Sequence, residues 1–286
     1  MKLFFTFLIL VTLADSGYSQ VATDRGNEDN ADDPYEHQSY FMYGVNCLSD
    51  NVYLGRKDSV ALPYISPYAG YHFSNGIYGK ALASYAPSLG RLDLLTLEAG
   101  WDHSFGDHIN AGINGDKFFY SKNSNSIRSS TSGGAGVYGQ FSNDWIEPQV
   151  SWDINFNKGS TDYVAGIMLD HDFGLENNAL HFIPVVGMNA GTQHYYDEYF
   201  VNKLTKKDKT VKVKKVIANA SKFVPLDYEI STKVTYRVRK WLFTISPVYS
   251  IPTSPATIAL PKKKTTTVVT EKLTNSFFIE LDICHR

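Results

Sequence analysis

The chain has 286 residues, enough for one large domain or two small ones, and a formal net charge of −2 that offers no argument for a nucleic-acid partner. Its 43% hydrophobic content describes a folding chain. Aromatics reach 14%, with 19 Tyr and 17 Phe, a composition that suits β-structure and surfaces meeting an interface.

The first residues, MKLFFTFLILVTLADSGYSQ, place Lys2 before an apolar run over 3–13, with Gly17 and Ser19 as small residues ahead of Gln20. This is the pattern of a secretory signal peptide over 1–19, too short and wrongly flanked for a membrane helix. Cleavage is expected after Ser19, and no cysteine follows the run to carry a lipid. No other stretch reaches about 18 consecutive apolar residues, so a second, helical anchor is not expected. Residues 20–37 are acidic and nearly free of large apolar groups. They cannot bury enough surface to offset the entropy of ordering, and a flexible periplasmic tail is expected there.

From 38 to 286 the hydrophobic period is two almost everywhere. Twelve candidate strands follow at 38–48, 61–73, 77–86, 92–105, 108–120, 132–142, 145–157, 161–173, 179–192, 223–239, 241–252 and 267–284. In IEPQVSWDINFN, Ile146, Pro148, Val150, Trp152, Ile154 and Phe156 alternate with Glu147, Gln149, Ser151, Asp153, Asn155 and Asn157. Leu95, Leu97, Ala99, Trp101 and Phe105 alternate in the same way with Thr96, Glu98, Gly100, Asp102 and Ser104. A third example sets Leu226, Tyr228, Ile230, Val234, Tyr236 and Val238 against Asp227, Glu229, Ser231, Lys233, Thr235, Arg237 and Arg239.

The connections alternate as well. Tight links at 74–76, 106–107, 143–144, 175–178 and 239–240 carry hairpin residues, and longer ones lie at 49–60, 87–91, 121–131, 158–160, 193–222 and 253–266. An up-and-down barrel in an outer membrane has a reason for this, with short turns in the periplasm and long loops outside. The expected fold is all-β: a closed antiparallel transmembrane barrel of about 12 strands. Phe73, Phe105, Phe141, Trp145, Phe173 and Trp241 collect near the tight turns as one aromatic girdle; Phe119, Tyr120 and Phe156 mark the other. A secreted β-sandwich also alternates, but it would expose Trp and Phe on strand after strand and has no need of alternating loop lengths.

The signal peptide ending YSQ, then VYLGRKDSVALPYISPYAGYHFSNGIYGKALASY and RLDLLTLEAGWDHSF, resembles uncharacterised outer-membrane β-barrel proteins of Bacteroidota-type bacteria. The likeness covers roughly the first half of the mature chain and implies the same fold and membrane, with no activity to carry over. Many outer-membrane barrels end on an aromatic residue; here NSFFIELDICHR ends at Arg286, which bears on the length of the last strand.

Several strings suggest chemistry. GAGVYG (134–139) spells G-x-G-x-x-G, but a turn signal rather than a helix follows, so a glycine-rich barrel strand is expected. HFSN (72–75) looks like the His-x-Ser-Asn segment of outer-membrane lipid A deacylases, where His72 and Ser74 would act as base and nucleophile. Ser74 and Asn75 equally suit a hairpin turn, and no carboxylate partner is evident. In DHD (170–172), Asp170 and Asp172 face inward and His171 outward, so no metal site is expected with Asp102 and His103. No cofactor is expected.

The inward parity carries Glu98, Asp102, Asp116, Glu147, Asp153, Asp170, Asp172, Glu280 and Asp282, with Lys80, Lys233, Arg237 and Arg239. These charges either set a transverse field across a water-filled pore or form a salt-bridged plug; twelve strands lie between filled and open barrels, and both readings stay open. A basic surface loop holds Lys206, Lys207, Lys209, Lys214 and Lys215, with lipopolysaccharide phosphates the nearest anionic partner; a solvated hairpin extension is the favoured reading. Cys47 and Cys284 lie on neighbouring strands but several residues apart along them, so two free thiols are expected.

The functional expectation is an outer-membrane barrel without enzymatic activity, forming a narrow passive channel for small hydrophilic solutes. The alternatives are a closed structural or surface-interaction barrel presenting basic loops and, less favoured, a lipid-acting hydrolase built on His72 and Ser74.

Overall fold

The computed structural model describes residues 38–286 apart from 59, 144, 176–178, 198, 200–218 and 262–265. The expected signal peptide (1–19), the expected flexible tail (20–37), Lys206, Lys207, Lys209, Lys214 and Lys215 lie outside the described residues.

Twelve long strands run in chain order. The first four are β1 (Tyr40–Leu48), β2 (Tyr64–His72), β3 (Ile77–Ala86) and β4 (Arg91–Phe105). Next come β5 (Ile109–Tyr120), β6 (Thr131–Phe141), β7 (Glu147–Asn157) and β8 (Ser160–Asp170). The last four are β9 (Leu180–Gly191), β10 (Val224–Val238), β11 (Trp241–Pro252) and β12 (Ser276–His285). Each pairs antiparallel with its sequence neighbours, and β1 and β12 also pair with each other, from Tyr43 opposite His285 to Leu48 opposite Glu280. The sheet is therefore a closed barrel without a free edge, which satisfies every strand's backbone laterally.

The period-two pattern explains the wall. Ser151, Asp153, Asn155 and Asn157 of β7 are buried inside, and Phe156, next along the strand, is exposed outside. Thr96 and Glu98 of β4 are buried while Leu97 is exposed. Phe41, Tyr71, Phe73, Phe105, Phe141, Trp145, Phe173 and Trp241 form an outward aromatic belt at the short-turn end. Tyr85, Phe119, Phe156, Tyr163, Phe223 and Tyr249 form a second belt near the long loops. Tyr120, expected in that belt, shares the inward parity with Phe118 and lies 6.3 Å from its ring.

Three details depart from the expected strands. The last barrel strand begins at Ser276, opposite Ser250, not at 267; Thr266–Thr270 instead pairs with Thr257–Pro261 in a separate hairpin. With β11 ending at Pro252, residues 266–270 have no barrel neighbour and pair locally. β8 stops at Asp170, and Phe173–Leu175 continues as a short strand against β9 alone. Leu226, expected outward, is an extra residue in a β-bulge between the pairs Asn189–Asp227 and Ala190–Pro225, and it joins a buried cluster with Tyr53, Ile127 and Tyr195.

GAGVYG lies within β6 as strand throughout. Cys47 and Cys284 are not joined in a disulfide. Cys47 pairs with Leu281 and Cys284 with Gly44, and Cys47 shares the outward parity while Cys284 is buried inside. They therefore point to opposite faces as well as lying apart.

Candidate functional site

Inside the barrel the polar parity is wired together. Lys80 and Glu98 face each other across β3 and β4 and form an ion pair at 3.2 Å, while the Tyr78 hydroxyl donates to Glu98 at 3.0 Å. Tyr138 donates to Asp102 at 2.9 Å, and Tyr68 to Asp282 at 3.0 Å. Gln140 donates to Glu147 at 3.0 Å, Asn46 to Glu280 at 2.5 Å, and Ser250 and Asn189 to Asp227 at 3.0 Å each. Such a network satisfies acceptors that would otherwise be costly to bury.

The expected pore-lining residues divide accordingly. Glu98 and Asp153 are buried in the interior; Asp102, Glu147, Asp170, Lys233 and Arg237 are half-buried on the inward parity. Glu147 and Asp170 stand directly opposite each other on β7 and β8. Arg239 is displaced from this set: it occupies the exposed turn after β10 at φ 55°, because the strand ends at Val238. His72 stacks between Tyr40 and Tyr78, and Ser74 stands in the turn with its backbone N–H donating to Ser39 Oγ at 2.9 Å. Asp172 meets His181 Nδ1 at 2.8 Å, and His171 lies edge-on to Phe173. Among the described residues no group of three or more His, Cys, Asp or Glu is placed to hold a metal.

The larger construction is at the long-loop end, where the loops fold inward and meet. Between β1 and β2, Val52–Tyr53 and Arg56–Lys57 form a small hairpin whose turn residues Leu54 and Gly55 have φ 47° and 74°. Its tip is pressed against β10 and β11: a Cβ on Gly55 would stand 2.9 Å from Asp227 Cβ and Pro252 Cα. Glycine answers both the positive φ and the close approach.

Arg56, its side chain only 2% exposed, ties this hairpin to two other loops. Its Nε meets Glu271 Oε2 at 3.2 Å, Nη1 donates to the Tyr195 hydroxyl at 3.1 Å, and Nη2 donates to Gln193 Oε1 at 2.8 Å and to the Ser254 carbonyl. The guanidinium also lies 5.1 Å from the centre of the Tyr196 ring. Arg128, from the β5–β6 loop, is sandwiched between Tyr53 and Phe118 at 4.6 and 4.4 Å and donates to Asn155 at 2.8 Å.

Asp162, at the mouth end of β8, anchors the β9–β10 loop. It accepts from Asn157 and Thr192 side chains at 2.7 and 2.6 Å, and from the His194 and Tyr195 backbone N–H groups at 2.7 and 2.6 Å. Tyr195 sits edge-on to Tyr53 at 4.8 Å, and Ile127, Val164, Leu226 and Ala256 fill the space around them. Burial pushes the Tyr53, Tyr195 and Tyr196 hydroxyls above their ordinary range. Burial also opposes the Arg56 charge, but Tyr195 and Glu271 outweigh it and hold the guanidinium more firmly protonated.

The sequence reading missed this cap. The traces it left were Leu-Gly between Tyr53 and Arg56, which is a tight-turn signal, and an arginine in each of two long loops, Arg56 and Arg128.

The fold and site define a closed twelve-stranded barrel with an apolar exterior, a hydrogen-bonded polar interior and one mouth covered by its own loops. No protein-family model matches the chain, and no curated protein is similar to it in sequence. Among solved structures it is similar to the KdgM porin, with a TM-score of 0.48 and 8% identity over 86% of this chain and 98% of that one. It is also similar to LpxR from Salmonella typhimurium, at 0.43 and 11% identity over 85% and 99%. Salmonella typhi OmpF gives 0.35 and 9% over 87% and 96%. The barrel assignment rests on the strand pairing itself.

Proposed function

We propose that this chain is an outer-membrane barrel whose outward apolar face meets lipid and whose long loops stand outside the cell. In its resting form it is closed at the outer mouth by its own loops, a surface scaffold rather than an open pore. The observation that carries this reading is the burial of Arg56 among Glu271, Tyr195 and Gln193, which locks three loops over the lumen. A loop merely solvated at the surface would not place an arginine at 2% exposure with every group paired.

A narrow solute channel is the second reading. It is favoured by the mixed charges on the inward parity, with Lys80, Lys233 and Arg237 set among Glu98, Asp102 and Glu147. Passage then requires the cap to move. The lysine-rich sequence around Lys206 and Lys214 adds positive charge suited to anionic lipid phosphates.

Liposome swelling separates the two. Vesicles containing the protein should exclude small neutral sugars as well as protein-free vesicles do. Rapid swelling that slows with sugar size would instead establish the channel.

A further inference from the structure

The β9–β10 loop begins with a single 3-10 turn, His194–Tyr196, followed by Asp197. The far end of the same loop returns beside it: the Gln193 N–H donates to the Ala220 carbonyl at 2.9 Å, bringing Ser221 next to the turn. His194 Nε2 lies 3.0 Å from Ser221 Oγ, and His194 Nδ1 lies 3.2 Å from Asp197 Oδ2. One imidazole thus meets a serine hydroxyl through one nitrogen and a carboxylate through the other. The carboxylate contact favours the proton on Nδ1, leaving Nε2 to accept from the serine. His194 and Asp197 are mostly covered, at 18% and 17% side-chain exposure, whereas Ser221 is exposed to an incoming substrate.

We propose that Ser221, His194 and Asp197 form a serine-hydrolase site that cleaves carboxylic esters of membrane lipid at the outer mouth. Such constellations are recognised by geometry and role rather than by chain order. The barrel wall supplies rigidity, since Asp162 fixes the backbone of His194 and Tyr195. Lipid is the substrate class because Phe223, two residues from Ser221, is exposed and stacks on Trp152 at 5.9 Å and 14°, within the outward aromatic belt. Lys222, exposed between them, adds a cation suited to an anionic headgroup.

The chemistry closes with water as the only co-reactant. Ser221 Oγ attacks the ester carbonyl carbon as His194 Nε2 takes the hydroxyl proton. The carbonyl carbon–alkoxy oxygen bond then breaks, and His194 returns the proton to the departing alcohol, leaving an acyl-serine. Water attacks that acyl group, His194 takes a proton from it and passes it to Ser221, and the free acid departs. Asp197 is a positioning residue that holds the ring and stabilises the imidazolium.

The lipid assignment rests on the membrane placement proposed above; the hydrolytic chemistry does not. The test uses the full chain refolded in detergent and in vesicles, with a fluorophosphonate reagent, p-nitrophenyl butyrate, and phosphatidylglycerol carrying a labelled acyl chain. The folded protein should bind the reagent covalently and cleave both esters. Ser221→Ala should abolish labelling and cut turnover by about a thousandfold or more, with heat-modifiable mobility unchanged. Asp197→Asn should lower kcat for the soluble ester with KM little changed, a split that a merely structural role would not give. Folded protein that neither labels nor cleaves the soluble ester, or a Ser221→Ala variant that keeps both activities, overturns the site. Cleavage of the soluble ester with labelled lipid untouched overturns the lipid assignment alone.

Discussion

The Tyr138 hydroxyl on β6 reaches Asp102 Oδ1 on β4 at 2.9 Å, passing over Gly112 on the strand between them. A Cβ on Gly112 would stand 2.2 Å from that carboxylate oxygen and 2.4 Å from the Tyr138 ring. The same arrangement recurs at the barrel seam, where Tyr68 on β2 crosses Gly44 on β1 to reach Asp282 on β12. Each triplet ties three strands together through one aromatic ring.

Tyr138→Phe should therefore lower stability by about 1.5–3 kcal/mol, the value of a hydrogen bond to a charged acceptor. Gly112→Ala should cost a similar amount through overpacking. In the double variant the two losses should not add, because both act on one contact. Urea midpoints in lipid vesicles, followed by tryptophan fluorescence, measure all three.

Removing the Arg56 side chain should strand Glu271 and open the cap. Breaking a buried pair costs about 3–5 kcal/mol, here confined to the loops. Limited proteolysis of Arg56→Ala should cut the long loops much faster while the strands stay protected. Lys57→Ala, which removes a partly exposed pair with Asp50, should cost under about 1 kcal/mol and leave the cutting pattern unchanged.

The buried hydroxyls give the cap an alkaline limit. Tyr53, Tyr195 and Tyr196 ionise in the folded cap only above their ordinary value of 10.0. In the open loops they lose protons near that value, so the open form binds fewer protons once pH exceeds it. Cap stability should be fully present below about pH 10 and fall as pH rises further. Proteolysis rates of the loops measured across that window should rise, and Arg56→Ala should show little further change.

Leu97 stands outward near the middle of β4, and Phe105 at its turn end. Leu97→Arg should destabilise the membrane-inserted barrel by about 2–4 kcal/mol, and Phe105→Arg by roughly 0–1 from the charge itself. Equal losses at both sites would contradict the placement of the apolar belt across lipid.

Much of the wall was legible because period two leaves only one choice of face. Glu98 and Asp153 point inward, and Leu97 and Ile154 outward, as their spacing required. Errors arose where the wall is interrupted. Leu226 turns inward at a bulge, which alternation cannot foresee; Arg239 follows the end of its strand; residues 266–270 alternate convincingly yet pair outside the barrel. The cap and the Ser221–His194 contact join residues from separate segments through side chains, and no local period encodes such a meeting.

Single-channel recording in planar bilayers, comparing the natural chain with Arg56→Ala, tests the closed mouth most directly. The natural chain should show long silent periods, and Arg56→Ala should open in discrete steps. Steady conductance of equal size in both would contradict a cap that closes the lumen.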